Sequence, residues 1–147
     1  MSRLTNAILL ALLLVGCAEY LPMSGGALGG KVSPLPLSLD RIIQDKIIQL
    51  ETGASEAYSV NLWVVEVGGY LHVFAGDNKA KWVENMEDSS DVRLRSGDEL
   101  FELEAARVGD PEVFELFAQA WEAKYGSRPR NESVEETYLY RLRPRGS

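Results

Sequence analysis

The chain has 147 residues, 46% of them hydrophobic, with 22 acidic against 15 basic side chains and a formal net charge of −7. That length holds one domain and hardly two, and the acidic balance argues against nucleic acid as a partner. With one cysteine, Cys17, and one histidine, His72, disulfides, thiolate or histidine-rich metal centres and Cys/His catalysis are excluded, and no metal site is expected.

The first 16 residues do not belong to the domain. Arg3 is a minimal positive start, residues 7–15 are an apolar run too short to span a bilayer comfortably, and Leu14-Val15-Gly16 leads into Cys17. The pattern resembles a bacterial lipoprotein signal peptide, which would make Cys17 the acylated mature N-terminus, bearing palmitate-type chains, and the lipid bilayer its first partner. A plain secretory signal or a signal-anchor would leave the cysteine without a role. By the same resemblance, Ala18-Glu19 after the cysteine implies sorting to the periplasmic face of the outer membrane in a Gram-negative cell envelope. Residues 17–37 are rich in glycine and proline and poor in bulky side chains, so they are expected to form a flexible tether, with residues 38–147 as the domain.

Ser38 is positioned to cap a short helix over 39–45 with Leu39, Ile42 and Ile43 inward. Residues 46–52 read equally as a continuation of that helix or as a strand. The stretch 60–67 alternates, with Val60, Leu62 and Val64 on one face and Asn61, Trp63, Val65 and Val67 on the other; Gly68-Gly69 turns it back into a partner strand over 70–75. After a polar loop, residues 80–86 are expected to form a short helix with Trp82 and Met86 on one side. Strands over 91–95 and 99–108 follow, joined by Ser96-Gly97-Asp98. Asp110-Pro111 starts a long helix whose Val113, Phe114, Phe117, Trp121 and Tyr125 form a packing stripe, closed by Gly126. A last strand covers 137–142. The basic tail admits pairing with the acidic middle of the chain, though a solvated, screened surface accounts for the imbalance as well. His72, in mid-strand, reads as a packed or hydrogen-bonded histidine.

These elements indicate an α+β domain, a small barrel or open sheet with one long helix in its C-terminal half. The order of residues 47–53, Leu62-Trp63-Val64-Val65, Gly69-Tyr70-Leu71, Lys81-Trp82, Val92-Arg93-Leu94-Arg95, Lys124-Tyr125-Gly126 and 138–144 resembles an uncharacterised family of the FMN-binding split-barrel superfamily, related to pyridoxamine-phosphate-oxidase-like proteins and deazaflavin nitroreductases. The resemblance implies a six-stranded antiparallel split β-barrel that forms a homodimer, with a flavin-type cofactor at the subunit interface, and it selects the strand for residues 46–52. The cofactor residues it implies are Gly53, Ser55, Asn61, Trp63, Lys79, Lys81 and Trp82, with the loop after the first strand cradling a phosphate.

Two departures weigh against that site. Glu56 stands where a cation is wanted, and a phosphate about 4 Å away would lose on the order of 1–4 kcal/mol; Asn61 also replaces an expected proline. Export would further require cofactor loading outside the cytoplasm. FMN is therefore the first cofactor to consider, deazaflavin follows, and haem, with His72 as the single imidazole, comes last. A cofactor-free module binding a small molecule or partner is the main expectation, and an FMN-dependent oxidoreductase the alternative. No catalytic side chain is assignable, since flavin chemistry needs few.

Overall fold

A computed structural model describes residues 25–147. The leader, Cys17 and the beginning of the tether lie outside the described residues. The strands are β1 (Lys31–Val32), β2 (Ile48–Thr52), β3 (Tyr58–Leu62), β4 (Val65–Val67), β5 (Tyr70–Ala75), β6 (Asp91–Ser96), β7 (Glu99–Arg107) and β8 (Tyr138–Pro144); the helices are α1 (Asp40–Ile43), α2 (Lys81–Asp88) and α3 (Pro111–Tyr125). The strands form one curled sheet in the order β3-β2-β6-β7-β8-β5-β4, antiparallel throughout, with β1 added parallel to β7. The sheet thus has eight strands and not the six implied by the resemblance. One extra strand comes from the break between β3 and β4, and another from the supposed tether.

Curling follows from connectivity. β3 and β4 stand at opposite ends of the strand order, yet only Trp63 and Val64 separate them in the chain. Three Cα steps reach about 11 Å at most, so the two edges must come together. The strand expected over 60–67 is therefore two strands: β3 pairs with β2, β4 pairs with β5, and the chain passes from one edge to the other at Val64. The expected faces survive this break. Val60, Leu62 and Val64 join the core inside the barrel with Leu50, Leu71, Leu94, Phe101 and Leu103. Val65 and Val67 join a second core beneath α3 with Phe114, Phe117 and Leu139.

The end of α3 pins the seam. Lys124 Nζ donates to the carbonyls of Asp45 and Val64, both at 2.7 Å, and the Tyr125 hydroxyl accepts from Val64 N–H at 3.0 Å while donating to Lys46 O at 2.8 Å. Backbone groups that cannot join either ladder are satisfied by these two side chains. Asp110 caps α3 by accepting from Glu112 N–H at 2.8 Å, and Gly126 ends it in the left-handed region at φ 90°. Helix α1 is one turn, shorter than expected, with Leu39 at its start and Ile42 buried.

From Gly25 onward, the stretch expected as a tether runs along the sheet and is hydrogen-bonded to it. Gly25 exchanges two backbone hydrogen bonds with Ser59, Leu28 N–H donates to Glu51, and Arg93 and Arg95 donate to the carbonyls of Leu28 and Gly29. The strap ends as β1 on β7. Composition suggested a linker because the strap is held mainly by backbone groups and buries little beyond Leu28. The basic tail does pair with the acidic middle: Arg143 meets Glu104 at 2.6 Å and Arg145 meets Glu102 at 3.0 Å. Among the described residues no helix is long and apolar enough to cross a membrane.

Candidate functional site

The residues implied as cofactor ligands separate into three places. Gly53 and Ser55 belong to the loop after β2. Gly53 has φ 97°, and a Cβ there would lie 2.2 Å from Glu56 O, so the turn requires glycine. Gly53 lines a cavity of about 240 Å³ together with Glu51, Ser89, Asp91, Arg93 and Arg145. Ser55 and Glu56 are exposed, as is Asn61 on the outer side of β3, opposite Gln49. Helix α2 abuts this loop, with Asn85 Nδ2 donating to Thr52 Oγ1 at 3.1 Å. Trp82, however, is not a cavity wall: it is 5% exposed and packs inside the barrel, edge-on to Tyr140.

The cations around the loop do not fit a phosphate. Lys79 binds Glu87 at 2.6 Å, and that carboxylate raises the lysine's pKa; Lys81 lies 3.9 Å from Glu84. Arg93 faces Glu51 at 3.4 Å and spends an NH₂ on Leu28 O. Arg145 is divided between Asp91, Glu102 and the carbonyls of Val92 and Leu103. The two guanidiniums that line the cavity, those of Arg93 and Arg145, already have carboxylates, so a phosphate here would displace an internal partner.

The third place is larger and was not legible as a site. Trp63 opens a groove of about 800 Å³, a volume typical of small-molecule seats, lined also by Phe74, Asp77, Trp121, Arg128 and Arg130. It lies where the second half of α3 meets β4, β5 and the loop 127–132. The Trp63 indole stacks on Tyr125 with centroids 4.1 Å apart and planes within 10°. Tyr125 therefore covers one indole face, and Trp63 still remains 43% exposed. Trp121 braces the pair at 5.1 Å from each ring and rests in turn on Phe117 at 5.3 Å and Phe74 at 5.7 Å. Because the Tyr125 hydroxyl is fixed at the barrel seam, this platform is held before any ligand arrives. The loop is fixed too. Arg128 reaches Glu115 at 2.7 Å and Glu132 at 2.5 Å; the guanidinium lowers the pKa of Glu115, the two carboxylates raise that of Arg128, and Pro129 is buried.

Aromatic periodicity marked Trp121 and Tyr125 as packing residues, which they also are. The available signal was the run Gly126-Ser127-Arg128-Pro129-Arg130, which brings two arginines directly after an aromatic stripe.

His72 is unsuited to ligate haem. It is 1% exposed, its Nδ1 bonds Tyr70 O at 2.9 Å, and its Nε2 is sealed from solvent without a partner. Burial and, to a lesser degree, the cross-strand neighbour Arg141 lower its pKa, opposed by the Tyr70 bond. The folded state thus takes up the proton less readily than the unfolded chain. Stability contributed by neutral His72 is present above the unfolded value near 6.5 and is lost as pH falls through that value toward the folded one. Urea midpoints are expected to drop between pH 7.5 and pH 5.5, above the main carboxylate titration. In His72→Leu the drop over that window should be largely absent.

No family model and no curated protein sequence matches the chain. Solved structures do. A NimC/NimA family protein from Clostridium acetobutylicum is 18% identical with a TM-score of 0.53, over 71% of this chain and 81% of that one. The haem storage protein HutZ from Vibrio cholerae is likewise 18% identical, TM-score 0.53, over 74% and 89%. A FAD-binding protein from Mesorhizobium loti is 13% identical, TM-score 0.53, over 72% and 84%. Likeness at these identities speaks for architecture. The chain has the split-barrel fold that its motif order implied.

Proposed function

We propose that this protein is a ligand-binding module of the split-barrel fold, held on a bacterial cell-envelope membrane by acylated Cys17, with its ligand seat in the aromatic groove beside α3. The observation that carries the seat is the residue Trp63: its indole is stacked on Tyr125, the residue is still 43% exposed, and it lines a groove of about 800 Å³. An exposed, braced aromatic face gives a flat molecule contact area at little entropic cost. Anchoring is supported by the apolar leader that ends at the chain's single cysteine. Acyl chains contribute about 0.8 kcal/mol per buried CH₂, so more than one chain holds a protein durably on a membrane.

The second reading is an FMN-dependent oxidoreductase acting as a homodimer, with flavin at the subunit interface. It is favoured by the FAD-binding split-barrel neighbour and opposed by the neutralised cations around Gly53. The two separate in one preparation. Full-length protein purified from its membrane is expected to carry no flavin absorbance and to leave millimolar FMN fluorescence unquenched. Stoichiometric flavin, with a dimeric mass in light scattering, would establish the second reading instead. Cys17→Ser is expected to abolish palmitate labelling and move the protein to the soluble fraction; retention on the membrane without label would remove the lipid anchor.

A further inference from the structure

We infer that the groove's ligand is a flat aromatic molecule carrying both a cationic and an anionic group. The inference rests on the groove being the ligand seat and names the chemistry it selects. The charges that line the groove are Asp77, Arg128, Arg130 and Glu132. Two of them are spent: Arg128 holds Glu132 at 2.5 Å and, on its other side, Glu115 at 2.7 Å. Asp77, where the chain leaves β5, and Arg130, in the loop after α3, are both exposed, and neither forms an ion pair with another described residue. Among the described residues, the groove therefore presents one partly exposed indole, one carboxylate without an ion pair and one guanidinium without an ion pair.

Trp63, Asp77 and Arg130 line the same groove, so a ligand that fills it from the indole to both charges takes water away from each. A ligand with a single charge satisfies one and leaves the other partly desolvated, which costs affinity. A ligand with both charges satisfies each, and the guanidinium fork offers its carboxylate a paired hydrogen bond. Discrimination thus comes from the unsatisfied partner as much as from the new contact.

Four probes test this by titration calorimetry on the detergent-solubilised full-length protein. L-Tryptophan carries both charges on one carbon, and 4-(aminomethyl)benzoate carries them at opposite ends of its ring. Indole-3-acetate is a lone anion and tryptamine a lone cation. The expected result is that at least one zwitterion binds about tenfold more tightly, or better, than both singly charged probes. Asp77→Asn and Arg130→Gln, both at exposed loop positions, should each erase that advantage, and Trp63→Ala should weaken all four probes in a protein whose melting still shows it folded. A smaller margin for the zwitterions, or a margin that survives both charge variants, overturns the inference. If none of the four binds at millimolar concentration, the groove itself is not the seat, and the proposed function loses its site along with this inference.

Discussion

Lys124→Ala is expected to destabilise the domain by about 3 kcal/mol, read as a lower urea midpoint with an unchanged slope. The side chain makes two charge-assisted hydrogen bonds, to Asp45 O and Val64 O, each at 2.7 Å. Such bonds contribute about 1.5–3 kcal/mol each, and the partial exposure of Lys124 places this pair at the lower end. Burial lowers the ammonium's pKa, and the nearby Asp45 carboxylate opposes that shift. Removing the ammonium leaves the Asp45 carbonyl without this donor and Val64 O with only the longer Tyr125 hydroxyl contact at 3.2 Å, at the place where the sheet's edges meet and no strand ladder supplies partners. Tyr125→Phe should cost less, about 1–2 kcal/mol, because only the hydroxyl's bonds are lost. Since both side chains serve Val64, the double variant should fall short of or exceed the sum by more than about 0.5 kcal/mol. Additive effects, or a loss for Lys124→Ala below about 0.5 kcal/mol, would mean that the seam is closed by packing alone.

This seam also shows where the sequence stops being informative. The hairpins were readable because a period of two, glycine pairs and turn residues are local signals: Gly68-Gly69 and Ser96-Gly97-Asp98 fall where the turns are. The break at Trp63-Val64 has no local signal. It exists because β3 and β4 belong to opposite ends of one sheet, and closure is a property of the whole chain. The same division holds for charge. That the basic tail could meet the acidic middle was visible, but the register that sets Arg143 against Glu104 was not. Nor was the pairing of Arg93 with Glu51 across β6 and β2, which removes from the Gly53 loop the cation a phosphate needs. Glu56 pointed to the same conclusion through the resemblance, which implies a cation at its place, although it stands exposed and away from the cavity lining. The groove escaped notice for a different reason: Trp121 and Tyr125 read as packing residues, Trp63 was assigned to the flavin site that the resemblance implies, and only the fold brings the three rings together.

That stacking makes Phe117 the residue on which stability and the groove depend together. Phe117→Ala is expected to cost about 3–5 kcal/mol. The ring is fully buried in the core beneath α3, with Phe74 at 5.0 Å, Trp121 at 5.3 Å and Phe114 at 5.6 Å. Its loss opens a cavity that the three aromatic neighbours, themselves in contact through Phe74, cannot easily collapse to fill. On the same helix, Leu116 is 53% exposed, and Leu116→Ala should stay within about 0.5 kcal/mol of the parent. The pair of variants separates core packing from helix propensity, since both replace a larger residue by alanine one position apart. The variant should also change the groove without touching it. Trp121 rests on Phe117, and Trp63 on Trp121, so the near-ultraviolet dichroism of the indoles should flatten and any ligand of the groove should bind more weakly than the stability loss alone explains at saturating folding conditions. Unaltered dichroism and unaltered binding in a destabilised Phe117→Ala protein would show that the Trp63 platform is held from Tyr125 and the seam, and not from the core beneath it.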